Sequence, residues 1–304
     1  MGRPLIRYDA PQTPWDAEVT ERGDAHALAA LIGAGGALVL SGAGLSTDSG
    51  IPDYRGPSSR RRRHAPMTYD AFVTDPAARH RYWARSHVGW PQIRAARPNS
   101  GHHVVATLER AGLLHGVITK NVDGLHQAAG TRDVVELHGA LDRVVCLGCD
   151  ATASRSEVEQ RLLALNTRFD AAVGAATEVK PDGDAELPER VLDTFAMIDC
   201  PHCDGPLKPD VVFFGESVPR PRVAHCLDLV AGARSLVVLG SSLTVMSGLR
   251  FVHAATRAGL PVAVVTSGPS RADAAADVRL LTPLGDVLPA VTRLLGLADT
   301  PKTA

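Results

Sequence analysis

The fold is decided by residues 37–55, which have the sequence ALVLSGAGLSTDSGIPDYR. The apolar run at residues 37–40 is typical of a buried strand. Gly42 and Gly44 would let backbone N–H groups approach a pyrophosphate without an intervening Cβ, and the turn can present a helix N-terminus to that charge. The spacing alone is a weak signal, because Thr47 stands where the dinucleotide fingerprint has its third glycine. A nucleotide-binding turn is predicted, and an ordinary strand-to-helix turn is the alternative.

The composition limits the classes of partner. The chain has 304 residues, 45% of them apolar, and a formal net charge of −1. That length can form one large domain or two, and the balanced charge predicts no general attraction to nucleic acid or anionic membranes. No run approaches the roughly 20 apolar residues that span a bilayer, and the first residues lack a secretory signal. We expect a cytoplasmic, monomeric protein.

Further apolar strands are predicted at residues 116–119, 134–137, 235–239 and 261–265, with helical segments between them. This alternation predicts an α/β fold with a doubly wound, parallel Rossmann-type sheet. Ligands bind at the carboxyl ends of strands in such sheets, so the polar residues that follow the strands are site candidates. One connecting helix is expected to begin with Ser100 as its cap.

Four of the five cysteines form two C-x-x-C pairs separated by 50 residues. Each pair can offer two thiolates to one tetrahedral ion, so the four predict a zinc site; redox or unliganded thiols are the alternative. Four protein ligands leave no open position for a substrate, which makes the role structural. The ligands would be Cys146, Cys149, Cys200 and Cys203, whereas Cys226 is expected to be a packed thiol.

Together these motifs resemble the sirtuins, a family of NAD-dependent protein deacylases. The resemblance covers residues 24–294 and rests on GAGLSTDSGIPDYR at 42–55, KNVD at 120–123, LHG at 137–139, the two C-x-x-C pairs, VVFFGE at 211–216 and GSSL at 240–243. The segments YWAR at 82–85, GWP at 89–91 and KPD at 208–210 make the chain most similar to the class II subgroup, which includes a mitochondrial sirtuin described as a lipoamidase and ADP-ribosyltransferase.

The resemblance implies two domains. A Rossmann domain that binds NAD would comprise residues 21–56, 99–145 and 205–298. A helical insertion at 57–98 and a zinc module at 146–204 would form a smaller domain, with the acylated lysine of a protein substrate in the cleft between the two. Residues 1–20 are expected to be an N-terminal arm, and the run Arg60–Arg63 a solvated loop.

The resemblance also implies the NAD contacts. Asn121 and Asp123 would line the nicotinamide pocket. Lys120 and Ser267 depart from the family, which usually has Gln and Asn there, so cofactor affinity could differ. The full implied set is Gly42, Ala43, Gly44, Thr47, Asp53, Tyr54, Arg55, Lys120, Asn121, Val122, Asp123, Gly240, Ser241, Ser242, Thr266, Ser267, Gly268 and Leu284.

His138 is the expected general base, with Asn121 as a second catalytic residue. It would take the proton of a ribose hydroxyl, and an imidazole with a pKa near 6.5 suits that role at neutral pH. Because catalysis in this family needs no side-chain nucleophile, none is predicted.

The substrate main chain would add as a strand to the edge formed by Val212, Phe213, Phe214 and Gly215. Tyr82 and Arg85 lie one helical turn apart and could bind a carboxylate at the end of an acyl chain. They resemble the Tyr-x-x-Arg pair of sirtuins that remove acidic acyl groups, and a helix that packs Tyr82 and solvates Arg85 is the alternative. We therefore expect a preference for longer or acidic acyl groups.

The expected reaction is NAD-dependent removal of acyl groups from protein lysines, giving nicotinamide, O-acyl-ADP-ribose and the free lysine. The alternatives are a protein mono-ADP-ribosyltransferase, a lipoamidase or longer-acyl deacylase with weak deacetylation, and a non-catalytic NAD-sensing or zinc-mediated binding module. A hydride-transfer dehydrogenase is disfavoured, because the third glycine and the ribose-binding acid of its fingerprint are missing.

Overall fold

A computed structural model describes residues 19–53, 66–173, 182–185 and 187–297. The strands are β1 Ala37–Ser41, β2 Leu114–Thr119, β3 Val134–Glu136, β4 Gly139–Cys146, β5 Thr152–Ser154, β6 Leu207–Val211, β7 Ser235–Leu239, β8 Val262–Val265 and β9 Val278–Leu280. Six of them form one parallel sheet in the order β3-β2-β1-β7-β8-β9. The order reverses between β1 and β7, which is where such sheets bind ligands. The predicted fold class is confirmed.

Helices cover both faces of the sheet. They are α1 Ala25–Gly33, α2 Tyr69–Thr74, α3 Pro76–Ala95, α4 Ser100–Arg110, α5 Leu125–Ala128, α6 Arg155–Leu165, α7 Thr167–Val173, α8 Glu189–Leu192, α9 Arg220–Gly232, α10 Met246–Arg257 and α11 Leu284–Leu294. Side chains of α1, α4 and α11 form one apolar layer with the sheet, and those of α9 and α10 form the other. In the described parts of the chain, no helix has the combined length and apolar character that crossing a bilayer requires.

The start of α4 differs from the prediction. Asn99, not Ser100, is the cap: its Oδ1 accepts from the N–H groups of Gly101 and His102. His102 completes a capping box by receiving the Asn99 N–H at Nδ1. The Asn99 amide also donates to the Leu45 carbonyl at 2.7 Å. The cap therefore joins the helix to the turn after β1, a contact that no local pattern predicts.

A second, three-stranded antiparallel sheet has the order β5-β4-β6. The sequence-based bounds assigned residues 139–145 and 207–211 to the Rossmann domain, but β4 and β6 pack with the helical insertion and the zinc module, which together form the smaller unit. One apolar core unites this sheet with α3 of the insertion and α6 and α7 of the zinc module; Trp83, Val144, Val158 and Phe169 all belong to it. The helix α3 has 20 residues and continues through Pro91. The predicted loop at Arg60–Arg63 lies outside the described residues.

Buried charges also join the insertion to the zinc module. His87 Nδ1 lies 2.6 Å from Glu159 Oε1, and its Nε2 lies 2.9 Å from Asp170 Oδ1. Burial opposes a charge on the ring, but the two carboxylates outweigh it and raise the pKa of His87. The fully buried Arg155 pairs with Glu159 and stacks over Trp90. These contacts make the smaller unit a single packed body.

The turns after β1 and β7 cross at backbone contact. Gly42 N–H donates to Leu239 O and Gly44 N–H to Gly240 O, each at 2.9 Å. A Cβ on Gly44 would lie 2.9 Å from the Gly240 Cα, and one on Gly240 would lie 2.6 Å from the Gly44 carbonyl carbon. Gly240 also has a φ of +64°. These glycines are therefore required where two turns meet, and the N–H groups of Gly42 and Gly44 serve that junction rather than pointing at a ligand.

Substitution of Gly240 tests this junction. Gly240→Ala should lower the free energy of unfolding by at least ~1 kcal/mol more than Gly259→Ala, as measured by urea denaturation. Gly259 is the matched control, because its φ of +70° is similar but a Cβ there meets nothing within 4 Å. Equal losses for the two variants would contradict close packing at the crossing.

Candidate active site

A cleft of about 160 Å³ opens where the carboxyl ends of β1, β2 and β3 face the smaller unit. The sequence-predicted residues that line it are Ala43, Lys120, Asn121, Val122, Asp123, His138, Val212, Phe213, Phe214 and Gly215. Strands 37–41, 114–119 and 134–136 end at the same edge of the sheet, so they bring side chains that are far apart in sequence to one space. The cleft is therefore the candidate active site.

One end of the cleft has a carboxylate held by short hydrogen bonds. Ser46 Oγ donates to Asp123 Oδ2 at 2.7 Å and accepts from Asn121 Nδ2 at 3.0 Å. Asn121 Nδ2 also donates to Gly42 O at 3.1 Å, and the Leu125 N–H donates to Asp123 Oδ1 at 3.0 Å. Burial raises the pKa of Asp123, while the donors oppose that rise. The group can accept a hydrogen bond from an amide ligand.

His138 presents one nitrogen as an acceptor. Its Nδ1 lies 3.2 Å from the Lys120 carbonyl, which can only accept, so Nδ1 carries the proton. Nε2 is then unprotonated and receives the Ser247 hydroxyl at 2.9 Å. Burial, followed by the charge of Lys120, lowers the pKa of His138 below its ordinary value. The pKa of His138 is therefore lower than the value near 6.5 expected from the sequence, because other elements enclose the ring.

Lys120 brings an ammonium group into the same cleft. Its Nζ donates to Ser241 Oγ at 2.9 Å, and Ser241 Oγ accepts the Leu243 N–H at 3.3 Å. The side chain therefore spans from the end of β2 to the turn after β7. Where the resemblance predicts Gln, this chain therefore has a positive charge in the lining of the cleft.

The predicted strand-accepting edge, residues 212–215, follows β6, and hydrogen bonds from other parts of the chain fix its backbone. Val212 N–H donates to the His138 carbonyl at 2.8 Å, and the Tyr69 N–H donates to the Phe214 carbonyl at 2.9 Å. The buried Lys208 lies 3.1 Å from Glu216 Oε2, which also accepts the Phe213 N–H at 2.8 Å. These contacts fix residues 212–215 along one wall of the cleft.

Tyr82 and Arg85 lie behind that wall, not on it. Tyr82 is 2% exposed, and its ring packs edge-on against Phe213 at 5.1 Å between centroids. Burial raises the pKa of its hydroxyl. Arg85 Nε lies 2.9 Å from Asp184 Oδ1 and donates to the Ala185 carbonyl. The guanidinium already has a carboxylate partner from this chain.

The remaining predicted NAD residues lie elsewhere on the sheet edge. Thr266, Ser267 and Gly268 follow β8, two strands from β1. Leu284 is the first residue of α11.

The other predicted NAD residues lie in the turns after β1 and β7. The Thr47 hydroxyl donates to the Gly44 carbonyl at 3.1 Å, and Ser242 Oγ is hydrogen-bonded to Thr244 Oγ1 at 2.9 Å. Gly240 accepts the Gly44 N–H where the two turns cross. Asp53 is the last described residue before residues 54–65; Tyr54 and Arg55 fall outside the described part.

The four predicted zinc ligands lie together. The sulfur atoms of Cys146, Cys149, Cys200 and Cys203 are all within 4.8 Å of one another. Two sulfur pairs are 3.5 and 3.8 Å apart, close to the ~3.8 Å edge of a tetrahedron with 2.3 Å Zn–S bonds. A Cβ on Gly205 would lie 3.1 Å from the Cys146 sulfur, so the cradle needs that glycine. The cysteines are positioned to bind zinc, and Cys226 is a separate buried thiol whose pKa burial raises to about 11.

Two hydroxyls and one acid of the site were missed by sequence reasoning. Ser46 and Ser247 contact Asn121 and His138, but their partners lie 75 and 109 residues away in sequence. Asp182 lines the cleft from a described segment of only four residues. Ser46 lies within the glycine-rich stretch quoted at the start, so its hydroxyl, two residues after Gly44, could have been recognised as a site candidate. No local sequence pattern distinguishes Ser247 or Asp182.

Comparison with known proteins agrees with these features. The Sir2 family profile matches residues 42–247. The chain is 57% identical over 264 residues to "NAD-dependent protein deacetylase 1" of Streptomyces coelicolor, an alignment that covers 87% of each protein. It is 46% identical to "NAD-dependent protein deacylase Sirt4" of Drosophila melanogaster, covering 83% of this chain and 81% of that protein.

Solved structures share the fold. One from work described as the structural basis for the mechanism and regulation of Sir2 enzymes aligns with a TM-score of 0.70 and 29% identity, covering 90% of this chain and 98% of that one. Another, a Sir2 protein with a p53 peptide and NAD+, aligns with a TM-score of 0.67 and 29% identity over 86% of this chain and 94% of that one. With a family profile over two thirds of its length and relatives this similar, the chain belongs to the Sir2 family.

Proposed function

We propose that this protein removes acyl groups from protein lysines in a reaction that consumes NAD. The observation that carries the proposal is the unprotonated Nε2 of His138, a residue that lines the cleft together with the buried Asn121 and the half-buried Asp123. A base and an amide-binding carboxylate in one enclosed space are what this chemistry needs. The deacetylase and deacylase names of the similar proteins support the same reaction.

Bound NAD would supply the ADP-ribosyl group that accepts the acyl group and would lose nicotinamide. Asp123 would accept a hydrogen bond from the nicotinamide amide, and Ser46 and Asn121 hold that carboxylate in place. His138 would accept the proton of a ribose hydroxyl at Nε2, the position that the Ser247 hydroxyl has here. One water is consumed when the lysine amine is released, and the products would be nicotinamide, O-acyl-ADP-ribose and the free lysine.

The protein substrate would bind along residues 212–215. Backbone pairing of an extended peptide with this wall is independent of side-chain identity, so many sequences could be accepted. The apolar side chains of Ile51, Met67 and Phe213 line the adjacent space, which suits the methylene chain of lysine and an apolar acyl group. Excluding water there would also protect the activated sugar from hydrolysis.

The reaction is tested with acetylated, octanoylated, lipoylated and glutarylated peptides and NAD, using mass spectrometry to detect every product. We expect O-acyl-ADP-ribose, with the deacylation rate at least ~10²-fold lower in His138→Ala because the base is lost. His253→Ala, an exposed histidine outside the cleft, is the matched control and should keep the wild-type rate.

The same products separate the alternatives. ADP-ribosylated protein without O-acyl-ADP-ribose would favour mono-ADP-ribosyl transfer, which does not require the proton acceptor at residue 138. NAD binding without nicotinamide release would favour a non-catalytic module. Either result would contradict the deacylase proposal.

For the acyl group, we propose a preference for neutral chains, including long ones, over acidic ones. The sequence-based hypothesis of a preference for acidic acyl groups requires that the Arg85 guanidinium be available to bind the acyl carboxylate. Asp184 already neutralises that guanidinium. Asp123, Asp182 and Glu216 all line the cleft, and like charge disfavours an acidic acyl group there.

Removal of the Asp184 charge tests the acyl preference. Asp184→Asn should raise the kcat/KM for a glutaryl peptide relative to an octanoyl peptide by about 5-fold or more, because Arg85 loses its countercharge. The exposed Asp193→Asn is the control for loss of one acidic charge in the smaller unit and should leave the ratio unchanged. A wild-type enzyme that already prefers glutaryl peptides would contradict this proposal.

A further inference from the structure

We propose that Arg279 is a positioning residue for the adenosine end of NAD. It would act by fixing the turn at residues 266–268, which follows β8 and which the resemblance to sirtuins assigns to the adenosine ribose. The inference rests on the proposed function, since it concerns how the same nucleotide is held. It assigns a binding role to a side chain that lies beneath the turn and does not itself reach the ligand.

The guanidinium of Arg279 is fully buried and joins both ends of this turn. Its Nη1 donates to the Thr266 carbonyl at 3.1 Å, and its Nη2 donates to the Gly268 carbonyl at 2.6 Å. Nη1 also donates to the carbonyl of Leu280, the next residue in the chain. The same carbonyl accepts the Thr266 N–H at 3.1 Å. A planar group with several donors in fixed directions can hold two carbonyls at a set separation.

The charge of Arg279 is balanced inside the protein. Asp273 Oδ1 lies 2.6 Å from Nε, and the other carboxylate oxygen accepts the Ser270 N–H at 2.9 Å. The backbone of Arg22 pairs with that of Arg279 through hydrogen bonds of 2.9 and 2.8 Å, and the Arg22 side chain donates to the Asp273 carbonyl. With its countercharge and backbone both held, the guanidinium has a fixed position and acts on the turn rather than on a phosphate.

This arrangement decides which groups of the turn face outward. The carbonyls of Thr266 and Gly268 point into the protein toward Arg279, whereas Ser267 between them is exposed at the carboxyl edge of the sheet. Ser267 has a shorter side chain than the Asn expected from the resemblance, so it has less reach with which to compensate for a displaced backbone. The affinity for the nucleotide should therefore depend on how firmly the turn is held.

Arg279→Lys tests the inference, because lysine keeps the charge but donates from one atom and cannot reproduce the separate, fixed donor directions of the guanidinium. Calorimetry with ADP-ribose should show a Kd raised by about 5- to 30-fold, which corresponds to one or two lost hydrogen bonds. Steady-state kinetics should show a similar rise in KM for NAD, with kcat and the KM for the acyl peptide within about 2-fold of wild type. A variant that merely folded poorly would not raise the KM for NAD while leaving kcat and the KM for the peptide unchanged.

Arg155→Lys is the matched control. Arg155 is the other fully buried arginine among the large buried side chains of the described residues, and it also pairs with a carboxylate, but it lies in the smaller unit. The Arg155→Lys variant should have a lower melting temperature than the wild type and the same Kd for ADP-ribose. Asp273→Asn gives a second test if Arg279→Lys does not fold, since it removes only the countercharge and should weaken ADP-ribose binding in the same direction.

The outcomes separate the two proposals. Weaker ADP-ribose binding in Arg279→Lys, or in Asp273→Asn, with Arg155→Lys unchanged supports the positioning role. Wild-type affinity in those variants overturns the role and leaves the deacylase proposal intact. A wild-type protein that binds no ADP-ribose and releases no nicotinamide overturns both.

Discussion

The contact of two backbone turns, one after β1 and one after β7, is the constraint on which the cleft depends. Gly42 and Gly44 lie against Gly240 at distances that leave no space for a Cβ. β1 and β7 are paired along their length, but the chain after β1 leads to α4 on one face of the sheet and the chain after β7 leads to α10 on the other. A crevice opens between such connections, and here the crossing of the two turns closes part of it. Ala43 is thereby presented to the cleft, and Ser46 is brought to Asn121 and Asp123.

From that crossing outward, the site is built of polar groups held in a poorly hydrated space. Burial changes the pKa of Asp123 and of His138 in opposite directions, and in each case it favours the neutral form. A neutral imidazole whose proton is held by the Lys120 carbonyl is already the tautomer that can accept a proton at Nε2. The cost of such a site is met by hydrogen bonds from neighbouring turns and by the core of the smaller unit, which the Arg155, Glu159 and His87 contacts hold together.

Much of this could be predicted from the sequence, because the strands are strongly apolar and the cysteine pairs have a spacing typical of zinc knuckles. The predictions that failed depended on distant partners. Asn99 replaces Ser100 as a helix cap because its amide also reaches Leu45, 54 residues away. The pKa of His138 is lowered because other elements enclose its ring. The ion-pair partner of Arg85 is Asp184, which lies about 100 residues further along the chain. Glycine spacing indicated a turn, but not that another turn would lie across it.

The central claim is that the unprotonated Nε2 of His138 faces the ribose from which nicotinamide leaves. A crystal structure of the protein with ADP-ribose measures this directly. The account predicts a ribose hydroxyl ~2.6–3.2 Å from Nε2, in place of the Ser247 hydroxyl that contacts this nitrogen here. A ribose bound elsewhere, with His138 still hydrogen-bonded to Ser247 and no hydroxyl or bridging water within reach, would contradict it.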